Sequence, residues 1–443
     1  MPNPFVVAQP VPAERFVGRT SEIEAAFDQI FNRSHLAIWG GPRMGKSSFL
    51  EKLASPLVWE ERGEDPSNAV IVLFSCESIN PFTASGFWQE ILSIMRDNLD
   101  SEPELQTDIE TILSGGQTTK DSLRQVLRKL GKKGKFLVLL VDDYDAALRE
   151  NEQYTQTDME AFLSECRNLA YHCQERKYLS MIVTSLKRLN ELGPPLSPSK
   201  SPWYNHYLFQ SLKPFTEAEV ERLLGILYTP ELQEIIRKLQ EAIREIAGGH
   251  PALLQTAGFF LYRELRDSQE QAPDAQAFAR KFESDTRQIF QNIWERCSEV
   301  EQTLLMLMAL VRLQGRLHKR HYDLSDIDRI LSQKERDLTN LEEQGVITRQ
   351  VKNGKTEYSF TSSIMERWVI QELGNSDEPL LKKRQKVFLN LMSHEQADKV
   401  ANAIRWLWKH KNEVPSTLEW FGKVSAALPK GAIQSLFNWM SGE

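Results

Sequence analysis

Apolar residues are distributed along this chain in two different ways. Over residues 1–212, short apolar runs at 36–39, 69–76, 136–141, 179–184 and 207–212 alternate with longer, more polar stretches whose apolar positions recur at helical spacing. The run Phe136-Leu137-Val138-Leu139-Leu140-Val141 is apolar throughout, as expected of a central parallel strand covered on both faces. Between the runs, 85–99, 122–130 and 158–176 predict helices. The alternation predicts an α/β domain with a three-layer parallel sheet. The Pro-rich stretch 193–202 cannot form a regular element and reads as a surface loop, either a mobile flap or a connector.

Beyond residue 212 the pattern turns helical. Thr216-Glu217-Ala218-Glu219 reads as a capping box, Ala247-Gly248-Gly249 closes a helix, and Pro251 opens the next at a first-turn position. A helical domain is expected over 213–291, either a lid or a separate bundle. Over 292–374 the order is that of a winged helix. Val300, Leu304, Leu307 and Val311 share a helical face, 324–331 and 335–344 give two more helices, and two strands flank an Asn353-Gly354 hairpin turn. A small helical domain is expected over 375–443, with Val400, Ala401, Ile404, Leu407 and Trp408 on one stripe and Pro415, Pro429 and Gly431 as breaks. Trp408, Trp420 and Trp439 read either as core or as a partner surface.

The chemistry is concentrated at the ends of the apolar runs. Gly40-Gly41-Pro42-Arg43-Met44-Gly45-Lys46-Ser47 follows the first of them and matches G-x-x-x-x-G-K-[ST]. In that pattern the glycines aim backbone N–H groups at phosphates, Lys46 adds a positive charge, Ser47 ligands magnesium, and the helix starting near Lys46 adds its positive end. The run 136–141 ends in Asp142-Asp143, where open α/β sheets bind ligands. Asp142 is then the candidate magnesium holder with Ser47, and Asp143 the candidate to orient or deprotonate a water. An ATPase with ATP or ADP and Mg2+ as cofactors is expected, and the nucleotide-binding set also takes in Ser48.

Composition narrows the partners. Lys plus Arg number 54 against 61 Asp plus Glu, a formal charge of −7, which argues against a protein that coats nucleic acid. Arg316, Lys319, Arg320, Arg329, Lys334, Arg336, Arg349, Lys352 and Lys355 gather in the winged block, so DNA contact there is an alternative, although acids are interspersed. The four cysteines form no C-x-x-C pair, and a reducing, cytoplasmic setting without membrane contact is expected.

Phe16-Val17-Gly18-Arg19 with Glu22, the loop 39–50, Leu140-Val141-Asp142-Asp143, Ile182-Val183-Thr184-Ser185, Leu212-Lys213-Pro214-Phe215 and Gly248-Gly249-His250-Pro251 together resemble the STAND class of P-loop ATPases and their archaeal ATPase relatives. The resemblance covers about residues 14–370 and lies in the order of the motifs. It implies an AAA-like nucleotide-binding domain, a lid and a winged helix. Val17, Gly18 and Arg19 would then lie by the adenine and ribose, Pro251 would pack on the base, and Thr184 or Ser185 would take the sensor position. It further implies a signalling switch in a bacterial regulatory or defence pathway, cycling between ADP-bound closed and ATP-bound oligomerising states. Such members usually carry a repeat sensor and an effector, and some hold ADP through a histidine where this chain has Phe360-Thr361-Ser362-Ser363. The short tail is therefore expected to be an adaptor for a separate protein partner. The alternative is a DNA-acting AAA-type ATPase similar to origin-recognition or transposition regulators.

Overall fold

The computed structural model describes residues 3–195, 201–225, 233–267, 275–317, 322–324, 327–352 and 355–421. The expected Asn353-Gly354 turn, the cations Lys319 and Arg320, the breaks Pro429 and Gly431, and Trp439 lie outside the described residues, as do 196–200 of the Pro-rich stretch. The side chains of Lys352 and Lys355 also fall outside. The chain forms two bodies. One comprises Pro10–Gly40 and Gly45–Leu212, the other Met1–Gln9, Gly41–Met44 and Lys213–Glu443.

The first body is built on strands β1 (His35–Trp39), β2 (Ala69–Ser75), β3 (Phe136–Asp142), β4 (Leu179–Ser185) and β5 (Tyr207–Ser211). They pair in the order β2-β3-β4-β1-β5, every pairing parallel. Its helices are α1 (Thr20–Phe31), α2 (Lys46–Ala54), α3 (Pro56–Glu61), α4 (Ala84–Asp97), α5 (Pro103–Ser114), α6 (Lys120–Lys132) and α7 (Gln156–Arg167). Because side chains alternate along a strand, Leu36, Ile38, Val138, Leu140 and Ile182 pack on one face with Phe27 and Ile30 of α1 and Phe49 and Leu53 of α2. Ala37, Leu137, Leu139, Val141 and Val183 pack on the other with Phe87 and Trp88 of α4, Leu127 of α6 and Phe162 of α7. Each fully buried Leu, Ile or Phe contributes about 1.5–3 kcal/mol, so both layers are needed to hold the sheet. With all strands parallel, Trp39, Ser75, Asp142, Ser185 and Ser211 end on one edge.

The single helix expected over 158–176 is broken. After α7 comes one widened turn, Asn168–His172, closed by a Cys173 N–H to Asn168 O bond of 2.9 Å, and then a tight turn, Gln174–Tyr178. Leu169, Ala170 and Cys173 stay buried through the wide turn, on the same side as Cys166 of α7.

The second body contains α8 (Glu217–Leu224), α9 (Gln233–Ala247), α10 (Pro251–Asp267), α11 (Ala275–Arg296), α12 (Glu299–Arg316), α13 (Ile327–Ser332) and α14 (Glu335–Glu343). The antiparallel pair β6 (Ile347–Lys352) and β7 (Lys355–Phe360) follows, then α15 (Ser363–Gly374), α16 (Glu378–Leu391), α17 (His394–Lys409) and α18 (Thr417–Trp420). Thr216 and Glu219 form the capping box that opens α8. Helix α12 departs from a one-sided stripe. Residues 303–310 are buried all round while Val311 is exposed, as fits a helix enclosed by α14, α15 and α16.

Two contacts within this body tie in segments distant in sequence. Near the N-terminus, Val6 N–H donates to Gln255 Oε1 and Asn3 Nδ2 to Phe259 O, and the ring of Phe5 lies where a Cβ on Gly258 of α10 would stand. Toward the C-terminus, Glu283 of α11 accepts from Arg367 Nε at 3.0 Å, Gln371 Nε2 at 2.6 Å and Thr417 Oγ1 at 2.6 Å. Arg367 also donates to Pro415 O at 2.6 Å, and the buried Trp420 donates to Ser363 O. Trp420 is thus core. Trp408 is half-buried and donates to Leu373 O.

Candidate active site

The loop 40–47 follows β1 directly. Gly45 takes a φ of 90° at the N-cap of α2, and α2 begins at Lys46 with no side chain capping it. The positive end of the helix dipole lies at this loop and favours an anion there. The Lys46 side chain is buried and its ammonium donates to Gly40 O at 2.9 Å, folding it back over the loop. Arg43, exposed at the loop's apex, holds a φ of 58°.

The carboxylates lie on the same strand edge. Sheet order inserts β4 between β1 and β3, and the pairings Ile38 with Thr184 and Val141 with Val183 bring Thr184 level with Asp142. Asp142 is 8% exposed. Its Oδ2 accepts from Ser47 Oγ at 2.5 Å, and its Oδ1 accepts from Thr184 Oγ1 and from the Asp143 N–H at 3.1 Å. Ser185 turns away, donating to Lys187 O at 2.7 Å. Of the two sensor candidates, Thr184 is the one that touches the acidic pair.

Asp143 adopts the left-handed conformation, φ 49° and ψ 44°, which Asp tolerates better than most residues. Its Oδ2 accepts from Ser75 Oγ at 2.8 Å. Burial, and secondly the charge of Asp142, push its carboxyl above the usual carboxylate range. Burial and the Asp142 charge raise Glu51 likewise. Buried Asp145 is raised by burial, opposed by the Leu186 N–H, which lies 3.2 and 3.1 Å from its two oxygens.

This crowding of carboxylates calls for a cation. Ser47 and Asp142 offer oxygen donors only, the chemistry a magnesium ion prefers when substrate phosphates and waters complete its shell. Among the described residues no group of three or more His, Cys, Asp or Glu could enclose a metal by itself. The donor set therefore fits magnesium held jointly with a nucleotide.

A family model described as an AAA domain matches residues 29–192. Those residues have the fold of a P-loop ATPase domain and are similar to AAA domains. The fold agrees with that of a Walker-type ATPase of Pyrococcus abyssi, which superposes with a TM-score of 0.54 at 16% identity over 83% of this chain and 99% of its own. The ORC2 protein of Aeropyrum pernix in its ADPNP-ADP complexes aligns at a TM-score of 0.45 and 13% identity over 84% and 97%. Drosophila ORC bound to DNA aligns at 0.40 and 14% over 82% and 89%. No curated protein matches the sequence.

Ahead of the AAA domain's loop, Gly18 and Arg19 reverse the chain into α1 with φ values of 78° and 59°. Buried Arg19 pairs with Glu22 at 3.6 Å. Val17 is half-buried beside them. The segment is fastened to α2, since Val11 N–H donates to Ser48 Oγ at 2.9 Å and Lys52 Nζ to Ala13 O at 2.9 Å. The Ser48 hydroxyl thus serves the protein's own backbone. Gly41, Pro42, Arg43 and Met44 group with the second body, as does Pro251, which is buried at the first turn of α10. Sequence reasoning gave no role to Ser75 or Asp145. Ser75 pairs in register with Asp142, but only the adjacency of β2 and β3 reveals it.

Proposed function

We propose that the AAA domain is the motor of a nucleotide-operated switch of the STAND type. The observation that carries this reading is the hydrogen-bonded line Ser47–Asp142–Thr184, which links the phosphate loop to the tip of β4 through one carboxylate. In the proposed cycle the loop N–H groups take the β- and γ-phosphates, and Lys46 exchanges Gly40 O for a phosphate oxygen. A magnesium ion held by Ser47 and Asp142 would neutralise charge on those oxygens. Asp143 orients a water for in-line attack. The water oxygen bonds to the γ-phosphorus, the bond to the β–γ bridging oxygen breaks, and the water's proton leaves by way of Asp143. Thr184, hydrogen-bonded to Asp142, changes partners as the γ-phosphate comes and goes, which is the local event a two-state element can amplify. The ATP state would assemble into homo-oligomers, and the C-terminal helices would engage a separate protein partner. Particle mass measured with ADP and with a non-hydrolysable ATP analogue tests the switch, and an unchanged mass would remove it.

The DNA-acting alternative is favoured by one feature, the helix–helix–helix–hairpin order of 299–360 with Arg329 and Arg336 exposed. Against it, Arg316 is paired with buried Glu366 at 3.3 Å and Arg349 with Glu335 at 3.4 Å. DNA affinity with and without ATP at two salt concentrations separates the readings, because phosphate contacts make binding salt-dependent.

A further inference from the structure

At the opposite end of the sheet from the phosphate loop, an open groove of about 460 Å³ runs between α6 and the turn that leads into β4. Arg128, Lys129, Lys132 and Lys177 line it against one carboxylate, Glu175, on a chain whose overall charge is −7. Glu175 is buried and holds Arg124 and Arg128 at 3.1 and 3.5 Å, so it fixes the guanidiniums. Lys129 is paired with Asp108 at 2.5 Å, whereas among the described residues no ion pair engages Lys132 or Lys177, and both are exposed. The floor is Tyr178. Its ring lies so close to Gly131 of α6 that a Cβ there would stand 2.3 Å from Cζ, and the Lys177 ammonium is 5.0 Å from the ring centroid. A glycine inside a helix costs about 1 kcal/mol relative to alanine, and here it is what admits the ring. The amides of Gln125 and Gln174 complete the lining.

Cations for phosphates, an aromatic face for a base and amides for base edges are the parts of a single-strand nucleic-acid site. We propose that this groove binds the backbone and one base of single-stranded nucleic acid, independently of the ATP site. The exposed cations meet phosphates, and Tyr178 takes a base once Lys177 swings from its ring to the backbone.

The test uses the full chain and a short fluorescein-labelled oligothymidylate followed by anisotropy. The double variant Lys132→Glu with Lys177→Glu should weaken binding about tenfold or more. It should also flatten the salt slope by about 1.4, since each of the two phosphates deprived of its cation accounts for about 0.7. Tyr178→Leu should weaken binding about tenfold with the slope unchanged, the signature of lost stacking. ATP turnover should stay at the wild-type level in the charge-reversed variant, so this outcome and that of the ATPase reading are read separately. Equal affinity of wild type and double variant would overturn the proposal. So would displacement of the oligonucleotide by polyglutamate at equal charge, or tighter binding of a duplex of the same length.

Discussion

Ser47 Oγ stands 2.5 Å from Asp142 Oδ2, joining two residues 95 positions apart and fastening the phosphate loop to the end of β3. Removing either partner leaves the other in a partly buried site with unmet hydrogen-bonding capacity. Ser47→Ala should therefore weaken Mg-ATP binding about tenfold while affecting nucleotide binding in EDTA far less. Calorimetric titration with and without magnesium checks the split.

Lys46→Ala removes the buried ammonium that lies on Gly40 O. Affinity for ADP and ATP should fall by about 100-fold or more, since charge-assisted hydrogen bonds to phosphate are the strong ones. Fluorescent-nucleotide titration gives the value, and wild-type affinity in this variant would remove the loop from the site.

Asp143 separates function from stability. Its raised carboxyl is protonated more readily in the folded chain than in the unfolded one, so its charge opposes folding above the usual carboxylate range. Asp143→Asn should bind ATP normally and lose at least about tenfold in turnover. The same variant should melt higher than wild type at neutral pH.

His35 predicts acid sensitivity. Its Nδ1 accepts from Met181 N–H at 3.1 Å, its Nε2 lies 3.2 Å from Ala170 O, and burial pushes its pKa down to about 4. The unfolded chain takes up the proton first as pH falls, so stability is lost between about pH 6.5 and pH 4. From pH 7 to pH 5 this group alone should remove about 2 kcal/mol, read from urea midpoints at the two pH values.

Gly131→Ala runs against helix propensity. Alanine should favour α6 locally, yet its methyl group would overlap the Tyr178 ring. A net loss of about 1–3 kcal/mol is expected from overpacking, measurable as a lower denaturation midpoint.

Most of the α/β domain was legible because its signals are local. Continuous apolar runs such as 136–141 mark covered strands, and Gly45, Lys46 and Ser47 sit at a strand-to-helix turn whose geometry the glycine dictates. What escaped depends on neighbours distant in sequence. Thr184 was separated from Ser185 only when β4 was seen between β1 and β3, and Ser75 gained a role only from the β2–β3 pairing. The wide turn after α7 was hidden because Cys166, Leu169, Ala170 and Cys173 mimic one continuous helical stripe. In α12, Leu304 and Leu307 kept the expected face while Val311 did not, because helices pack around it on more than one side.

The carboxylate of Glu283 gathers Arg367, Gln371 and Thr417 around itself, and Arg367 in turn reaches Pro415 O. Deleting the chain from Pro415 onward would strip a donor from the first and an acceptor from the second, and would uncover the cleft that Trp420 fills. A shortened protein made to map a docking partner would then carry an injury in α11 and α15, and its lost affinity would be blamed on the missing tail. Substituting exposed residues of α16 and α17 in the intact chain avoids that confusion.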